Sequence, residues 1–363
     1  TAFCTAATLA ARPAGRTATW ARDTIMTQVS HGMPVVIGGG SWGSAIASAL
    51  VRAGTAPHLL VRRQQTADAL ASGMCPQLGD IKDMPHLAAG TDDSILDMAT
   101  IVFVVLPVGA TADCLGRLAA QLAEDVPVVL CAKGLATLNG AADNGDGGHG
   151  AGGLLMPELA ERLLPAHANI VFSGPTFADE VASGRPAAIT AASHNQAAAD
   201  SVQALFEGSP LRVYASKDPV GVAIGGAMKN VIAIAAGCAS GLGLGDNARA
   251  AIITRGLAEM RRFTTALGGQ SETVYGLSGA GDLALSCSGP HSRNMAYGLA
   301  LSQGRAPDSV LAEGRHTVAA LAARARSVGI ELPITDAVDK VVNHQHNLQE
   351  VVNGLLARRA GHE

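Results

Sequence analysis

The chain has 363 residues, of which 48% are hydrophobic and 15% are charged, and its formal net charge is −4. This composition predicts a well-buried globular protein that is long enough for two domains. The negative charge and the lack of a long basic run argue against nucleic acid as a partner, and aromatic residues, at 3%, are too few for a surface that stacks on single strands. The longest apolar runs fall short of the roughly 18 to 20 residues that cross a membrane, so we expect no membrane span.

The six cysteines are widely spaced and form no Cys-x-x-Cys pair. Neither a zinc site nor a disulfide framework is therefore predicted, and we expect no bound metal. Free cysteines are typical of a reducing compartment, so we expect a cytoplasmic protein.

The first 32 residues contain three arginines, one aspartate and no regular hydrophobic period. A basic, acid-poor segment is typical of a transit peptide, but serine is nearly absent from this one. Met26 and Met33 are alternative start residues. We expect residues 1–32 to be a disordered upstream extension rather than a targeting signal.

From Met33 onward, short apolar runs alternate with helical stretches. Strands are predicted at MPVVIG, HLLVRR, TIVFVVLP, VPVVLCAKG, NIVFSGP, AAITAA and LRVYAS. Continuous apolar strands separated by helices are typical of a parallel sheet that is covered on both faces. The pattern predicts an α/β protein with a doubly wound Rossmann-type domain over residues 33–217. Within it, residues 139–153 include seven glycines, which predicts a flexible surface insert because glycine loses the most conformational entropy on ordering.

After Lys217 the strand-like runs stop. Helices are predicted over residues 219–239, 247–267, 291–303, 309–328 and 333–358, with glycine clusters and prolines between them. The sequence therefore predicts an all-helical C-terminal domain over residues 218–363.

A glycine-rich motif directly follows the first predicted strand and opens a helix. Gly38, Gly40 and Gly43 match the pattern Gly-x-Gly-x-x-Gly. In that pattern the first glycine permits a tight turn, the second lets a pyrophosphate approach the backbone, and the third allows close packing of helix on strand. Because free N–H groups at the helix start face the anion, the motif predicts a dinucleotide site.

The end of the second strand indicates which dinucleotide binds. A protein that reads the ribose 2′-hydroxyl of NAD usually has an acidic residue there, whereas this chain has Arg62 and Arg63. Two guanidinium groups suit a 2′-phosphate, so we expect NADP(H) to be accepted. The alternative is a pair of exposed arginines that only begin a helix.

The first helix of the C-terminal domain contains the one charged side chain between Asp218 and Asp246, Lys229. A helix this apolar is expected to be buried, and a buried lysine is costly unless its charge is paired or used. Burial lowers the pKa of a lysine toward the pH range in which general acid/base catalysis works best. The alternative is a core helix whose lysine extends to the surface.

Four further motifs are candidate sites, although each taken singly is more often a cap or a turn. Lys133 and the run 173–178 follow strands, where open α/β sheets bind ligands. The run 279–283 reads Gly-Ala-Gly-Asp-Leu, and the run 291–294 places Arg293 beside a hydroxyl and an amide, which suits a phosphate.

Together these motifs resemble those of the bacterial type of NAD(P)-dependent glycerol-3-phosphate dehydrogenase. The resemblance extends from about Met33 to the C-terminus and rests on residues 38–47, 131–134, 173–182, 225–237, 252–260, 276–282, 292–294 and 312–314. It implies a Rossmann domain followed by a helical domain, as in the 6-phosphogluconate dehydrogenase-like fold. It also implies that sn-glycerol 3-phosphate and dihydroxyacetone phosphate are interconverted with NADP(H) and/or NAD(H), which supplies glycerol 3-phosphate for phospholipid synthesis. The partner is then a small phosphate-bearing substrate, and a homodimer is left open.

The resemblance also assigns roles to individual residues, and Lys229 becomes the catalytic acid/base. The implied substrate contacts are Lys133, Gly174, Thr176, Lys229, Asp282, Ser292, Arg293 and Asn294. The cofactor contacts, in addition to Gly38, Gly40 and Gly43, are Ser41, Trp42, Arg62, Arg63, Lys133, Ala178, Arg293, Leu311 and Glu313. Thr176 stands where family members often have serine, and the insert at residues 139–153 has no usual counterpart.

Two other functions stay open. One is a related reductase or β-hydroxyacid dehydrogenase with the same two-domain plan, and the phosphate-anchoring run 292–294 argues against it. The other is a non-catalytic dinucleotide sensor. Lys133 and Lys229 argue against that function, because a sensor needs no proton donor.

Overall fold

The structure is a computed structural model that describes residues 32–79, 81, 83–136, 152–305 and 312–357. These residues belong to one compact unit. The predicted extension over residues 1–32 and the predicted insert over residues 139–153 lie outside the described residues, apart from Gly32, Gly152 and Gly153.

The described strands include all seven that the sequence predicts. They are β1 (Met33–Ile37), β2 (His58–Leu60), β3 (Ala88–Gly90), β4 (Ala99–Val104), β5 (Val128–Leu130), β6 (Leu135–Ala136), β7 (Leu154–Leu155), β8 (Asn169–Ser173), β9 (Ala187–Ala192) and β10 (Leu211–Ser216). Eight of them form one sheet in the order β10-β9-β8-β5-β4-β1-β2-β3, and β6 pairs with β7. The three strands that the sequence misses, β3, β6 and β7, span only two or three residues, too few to give a recognisable pattern.

Neighbouring strands of the large sheet run parallel except at one pair. Six pairs are parallel, as the sequence predicts, whereas β8 and β9 are antiparallel. The connection between β8 and β9 contains only a five-residue helix, Ala178–Ala182. A helix this short does not cross the face of the sheet as a parallel connection requires.

Helices cover both faces of the sheet. They are α1 (Ser41–Arg52), α2 (Gln64–Ala71), α3 (Val108–Gln121), α4 (Met156–Leu163), α5 (Ala178–Ala182) and α6 (Gln196–Leu205). Alternate side chains of the strands enter two separate apolar clusters: Val36 and Phe103 lie in one, and Val35, Val102 and Val104 lie in the other. Because both faces are buried, the predicted doubly wound architecture is confirmed.

The C-terminal part contains helices and no strand among its described residues. The helices are α7 (Pro219–Gly241), α8 (Gly245–Ala266), α9 (Asp282–Ser286), α10 (Arg293–Ser302), α11 (Glu313–Ser327), α12 (Pro333–Val342) and α13 (Leu348–Leu356). The prediction of a single helix over residues 333–358 is wrong. Gln345 has a φ of 54°, which a right-handed helix excludes. The side chain of Asn347 then accepts hydrogen bonds from Gln349 N and Glu350 N, which begins a new helix.

Helix α7 is the element against which α8, α9, α10, α11 and α12 pack. Gly237 and Gly298 let α7 and α10 approach backbone to backbone, since a Cβ on Gly237 would lie 2.1 Å from Met295 O and one on Gly298 would lie 2.0 Å from Ile234 O. Among the described helices, α7 alone is long and apolar enough to cross a membrane, yet 89% of its most apolar 18-residue window is buried inside the fold. Burial on this scale is typical of a core helix.

Candidate active site

The predicted dinucleotide motif and two predicted substrate residues lie at one edge of the sheet. The glycine motif follows β1, Arg62 lies just after β2, Lys133 lies just after β5, and Gly174 follows β8. Because these four strands run parallel within the sheet, their carboxyl ends meet at the same edge. Open α/β sheets bind their ligands at this edge.

The glycine motif has the geometry that a bound pyrophosphate needs. Gly38 has a φ of +117° and a Cβ there would lie 2.3 Å from Val105 O, while a Cβ on Gly43 would lie 1.9 Å from Gly38 O. A Cβ on Gly40 would meet nothing within 4 Å, so open space lies in front of the first turn of α1. No described side chain caps that turn, which leaves its N–H groups for an anion. The residues present therefore fit a dinucleotide.

The predicted cofactor residues beside this motif differ in how they are held. Ser41 Oγ donates a hydrogen bond to Gln77 O at 3.2 Å, and the buried Nε1 of Trp42 has no hydrogen-bond partner among the described residues. Arg62 and Arg63 are exposed and form no ion pair with any described residue. Both guanidinium groups are therefore available to a phosphate.

Three ionisable side chains from distant parts of the chain form one buried cluster. Lys133 Nζ lies 2.6 Å from Asp282 Oδ2, and Lys229 Nζ lies 3.1 Å from Asp282 Oδ1. The carboxylate is 2% exposed, and the two lysines are 14% and 13% exposed. Lys133 Nζ also donates a hydrogen bond to Gly174 O at 3.2 Å. One carboxylate thus holds two ammonium groups, one on each oxygen, against the edge of the sheet.

Burial and charge shift the pKa values within this cluster. Burial lowers the pKa of Lys229, the Asp282 carboxylate opposes that shift and the Lys133 ammonium adds to it, so the pKa lies below its ordinary value. Burial by itself raises the pKa of Asp282, but the two ammonium groups outweigh it and hold that pKa below its ordinary value. Lys229 therefore gives up its proton more readily than an exposed lysine, while Asp282 stays ionised.

Two of the three charged side chains of this cluster lie on helices. Lys229 lies near the middle of α7, and Asp282 begins α9 directly after a π-helical turn, Leu277–Gly281. Such turns are rare and often occur at functional sites. Ser286 Oγ accepts a hydrogen bond from Lys229 Nζ at 2.9 Å. The sequence analysis misses Ser286, although its position four residues after Asp282 puts both side chains on one helix face.

A second group of hydrogen bonds joins α7, α10 and α11 beside Lys229. Asn294 Nδ2 donates to Asn230 Oδ1 at 2.9 Å, and Asn294 Oδ1 accepts from Gly314 N at 2.9 Å. Asn230 Nδ2 donates to Glu313 Oε2 at 3.4 Å. The predicted substrate residue Asn294 is therefore also a bridge between helices. The sequence analysis misses Asn230, for which the signal is its place next to Lys229 in an apolar helix.

Two predicted residues lie at the start of α10. Ser292 Oγ accepts a hydrogen bond from Met295 N and so caps the helix. Arg293 is 61% exposed, and its Nη2 lies 4.0 Å from Glu313 Oε1. This loose ion pair leaves the guanidinium open to another anion.

The other predicted residues lie beyond β8 and before α11. Thr176 Oγ1 donates a hydrogen bond to Gly174 O at 3.4 Å, so it lies beside the carbonyl that Lys133 also contacts. Ala178 begins α5. Leu311, predicted as a cofactor contact, lies outside the described residues.

A Rossmann-type dinucleotide site that shares a sheet edge with a buried lysine pair defines the chain as a nicotinamide-dinucleotide-dependent dehydrogenase. Comparison with known proteins gives the family. The family model described as NAD-dependent glycerol-3-phosphate dehydrogenase N-terminus matches residues 35–199, and the one described as the C-terminus matches residues 218–353. The chain belongs to the NAD-dependent glycerol-3-phosphate dehydrogenase family.

Curated relatives and a solved structure agree with this assignment. The chain is 40% identical over 326 residues to the glycerol-3-phosphate dehydrogenase (NAD(P)+) of Mesorhizobium japonicum and 42% identical over 332 residues to that of Rhodospirillum rubrum. Each match covers 89% of this chain and 91% of the relative. The crystal structure of glycerol-3-phosphate dehydrogenase from Coxiella burnetii is similar with a TM-score of 0.80 at 32% identity, over 90% of this chain and 99% of that one. The predicted family, fold and cofactor class are therefore confirmed.

Proposed function

We propose that the protein interconverts sn-glycerol 3-phosphate and dihydroxyacetone phosphate by hydride transfer with NAD(P)(H). The relatives that it resembles are named as glycerol-3-phosphate dehydrogenases. The cluster of Lys133, Asp282 and Lys229 is the observation that supports this reaction most directly. It puts a lysine of lowered pKa at the sheet edge that also carries the dinucleotide motif.

The glycine motif and its neighbours would hold the dinucleotide. The first turn of α1 would face the pyrophosphate, which NADP(H) and NAD(H) share, and Arg62 and Arg63 would face the 2′-phosphate of NADP(H). The proposed cofactor is therefore NADP(H), NAD(H) or both. When bound, the nicotinamide supplies or accepts the hydride. The protein then has to orient the substrate and to move one proton.

Lys229 is the proposed acid/base. In the reducing direction, C2 of dihydroxyacetone phosphate gains a hydride while its carbonyl oxygen gains a proton from Lys229 Nζ. In the oxidising direction, the neutral amine takes the proton of the C2 hydroxyl. A lysine whose pKa is lowered by burial is more often neutral, and so able to take that proton, and its protonated form gives the proton up more readily than an exposed lysine does.

Asp282 is proposed to orient the two lysines before the substrate arrives. With one oxygen on each ammonium group, its carboxylate fixes their separation, and such preorganisation lowers the cost of reaching the transition state. The proposed substrate contacts are Lys133, Gly174 and Thr176 from the sheet edge, and Ser292, Arg293 and Asn294 from the start of α10. Arg293 would anchor the phosphate, so that binding energy far from C2 aligns the reacting carbon.

The finer organisation is also proposed. We divide the chain into a dinucleotide-binding domain over residues 33–217 and a substrate domain over residues 218–363, because the last strand ends at Ser216 and α7 begins at Pro219. A cytoplasmic location, and a role in supplying glycerol 3-phosphate for phospholipid synthesis, fit the family. A homodimer remains an open expectation.

The test is oxidation of NADPH and of NADH with dihydroxyacetone phosphate, followed by absorbance, in the parent and in Lys229→Ala. We expect turnover by the parent and a loss of about 10²- to 10⁴-fold in the variant, the usual contribution of a positioned acid/base, with dinucleotide binding retained. Lys340→Ala removes an exposed lysine of α12 and is the matched control. A variant within about tenfold of the parent would exclude Lys229 as the acid/base, and a parent that oxidises neither dinucleotide would refute the reaction.

A further inference from the structure

An aromatic contact joins the two sides of the proposed substrate site. The ring of His291 lies on the ring of Phe177 with a centroid distance of 4.0 Å and an interplanar angle of 1°. His291 Nε2 also lies 3.5 Å from Asp179 Oδ1. Phe177 follows the proposed substrate contact Thr176, and His291 directly precedes Ser292 at the start of α10. The contact therefore spans from the end of β8 to the helix that carries the proposed phosphate anchor.

The segment between α9 and α10, residues 287–292, makes few other polar contacts with the rest of the site. Its hydrogen bonds are local among the described residues, since Ser288 Oγ donates to Leu285 O and Ser292 N donates to Gly289 O. Open space also lies on one side of Gly289, where a Cβ would meet nothing within 4 Å. The side chain of His291 thus makes the described aromatic and polar contacts between this segment and the residues that follow β8.

The contacts that Arg293 makes with described residues do not fix its side chain. It is 61% exposed, and the 4.0 Å ion pair with Glu313 joins two side chains that are both largely in solvent. Such a pair contributes little to holding a geometry. The position of the guanidinium therefore depends on the backbone at the start of α10. Asn294 holds that backbone on the side of α7 and α11, and His291 connects it to the residues that follow β8.

We propose that His291 is a positioning residue for substrate phosphate, and that its stack on Phe177 holds the Ser292–Arg293 end of α10 toward Thr176. The stack is the effective part of this contact. The pair with Asp179 is weak, because its two side chains are 57% and 45% exposed. This inference rests on the proposed function, in which Arg293 anchors the phosphate.

The test compares His291→Ala with His291→Phe, which keeps a ring for the stack and removes the contact with Asp179. In His291→Ala we expect the KM for dihydroxyacetone phosphate and the Kd for inorganic phosphate to rise about 2- to 10-fold, the factor that one aromatic pair corresponds to. The kcat and the Kd for the dinucleotide should stay within about twofold, as expected when uniform binding is lost. His291→Phe should restore both phosphate measurements to within about twofold of the parent.

Two further variants show whether the stack or the charge matters. Asp179→Asn removes the ion pair and keeps the stack, so it should change both phosphate measurements by less than about twofold. His194→Ala removes an exposed histidine that lies 3.7 Å from a carboxylate of Glu161 and stacks on no described ring, so it controls for loss of a surface imidazole.

Unchanged phosphate binding in His291→Ala would overturn the proposal, as would a His291→Phe variant as weak as His291→Ala. If Asp179→Asn weakened phosphate binding as much as His291→Ala does, the ion pair with Asp179 and not the ring stack would be the cause, which would also overturn the proposal. The Kd for inorganic phosphate needs no turnover. A parent that fails to reduce dihydroxyacetone phosphate would therefore refute the proposed function, while the phosphate measurement still decides the role of His291.

Discussion

Replacing Asp282 with asparagine removes the negative charge that, among the described residues, pairs with both buried lysines, and it leaves the side-chain shape almost unchanged. At an effective dielectric constant of about 20, an ion pair about 3 Å apart is worth about 5 kcal/mol before desolvation, and the structure has two such contacts. Removing one partner of a buried pair typically costs about 3 to 5 kcal/mol. Lys229 can lose its proton and relieve part of the repulsion. We therefore expect Asp282→Asn to lower the free energy of unfolding by about 3 kcal/mol at neutral pH, the lower end of that range.

The pH dependence of this loss has a definite sign. The pKa of Asp282 lies below its ordinary value, so its contribution to stability is present above the ordinary pKa and is lost as the pH falls through the lowered one. The difference in unfolding free energy between parent and variant should therefore shrink in acid. Chemical denaturation at several pH values measures it.

The activity of Asp282→Asn gives a second signature. The carboxylate raises the pKa of Lys229 against the effect of burial, so its removal lowers that pKa further. Reduction of dihydroxyacetone phosphate needs the protonated amine, and the alkaline limb of its kcat/KM profile should therefore move to lower pH. We expect turnover at neutral pH to fall about 10²-fold, within the range for a misplaced acid/base.

Asp218→Asn is the matched control. Asp218 is also buried, at 4% exposure, and it accepts hydrogen bonds from Gly221 N at the start of α7 and from Gln270 N, but neither partner is a lysine. This control should lose stability without moving the pH profile. A profile that stays in place in Asp282→Asn, with turnover near that of the parent, would refute the claim that Asp282 sets the protonation of Lys229.

Two other predictions concern cofactor choice and stability. NADPH should serve at least as well as NADH, and the double change Arg62→Ala, Arg63→Ala should lower kcat/KM for NADPH selectively, by about fivefold and less at high salt, because both arginines are exposed. Values of kcat/KM for both dinucleotides at two salt concentrations decide this, and a strong preference for NADH that the change leaves intact would contradict it. Glu259 accepts hydrogen bonds from Ile334 N and Thr335 N, and burial raises its pKa to about 7. The folded state therefore binds the proton more tightly, and the stability of the parent falls as pH rises from about 4.5 to 7, by about 3 kcal/mol. Over this pH range, the free energy of unfolding of Glu259→Gln should rise by that amount relative to that of the parent, as denaturant titrations measure. A difference in unfolding free energy between the two proteins that does not change with pH would exclude the raised pKa of Glu259.

Much of the fold can be predicted from the sequence because the strands are continuous apolar runs. Such runs identify buried strands without regard to their partners. The direction of pairing is different, since the antiparallel contact of β8 with β9 depends on how far the short α5 reaches. The break between α12 and α13 also escapes the pattern, because it depends on the positive φ of Gln345 within an otherwise helical stretch.

The candidate site can also be predicted from the sequence only in part. Lys229 can be found because a lone lysine in an apolar helix is costly. Its contacts with Asp282 and Ser286 cannot be read from the sequence, because they arise only when α9 packs beside α7. Asn294 shows what a motif leaves out. The motif indicates a substrate contact, while the structure also gives Asn294 a hydrogen bond to Asn230 and one to the backbone in the first turn of α11.

The positive charges of the site lie in two environments, and the difference matches the two tasks proposed for them. Proton transfer needs a group whose charged form is destabilised, and Lys229, at 13% exposure, lies where burial lowers its pKa. Anion binding needs a group that keeps its charge and remains open to an incoming ligand, and Arg293 is 61% exposed. Exchanging the residue types would fail in both places. An arginine at position 229 would keep its proton throughout the accessible pH range, and a lysine at position 293 would lose the planar pair of donors that fits a phosphate.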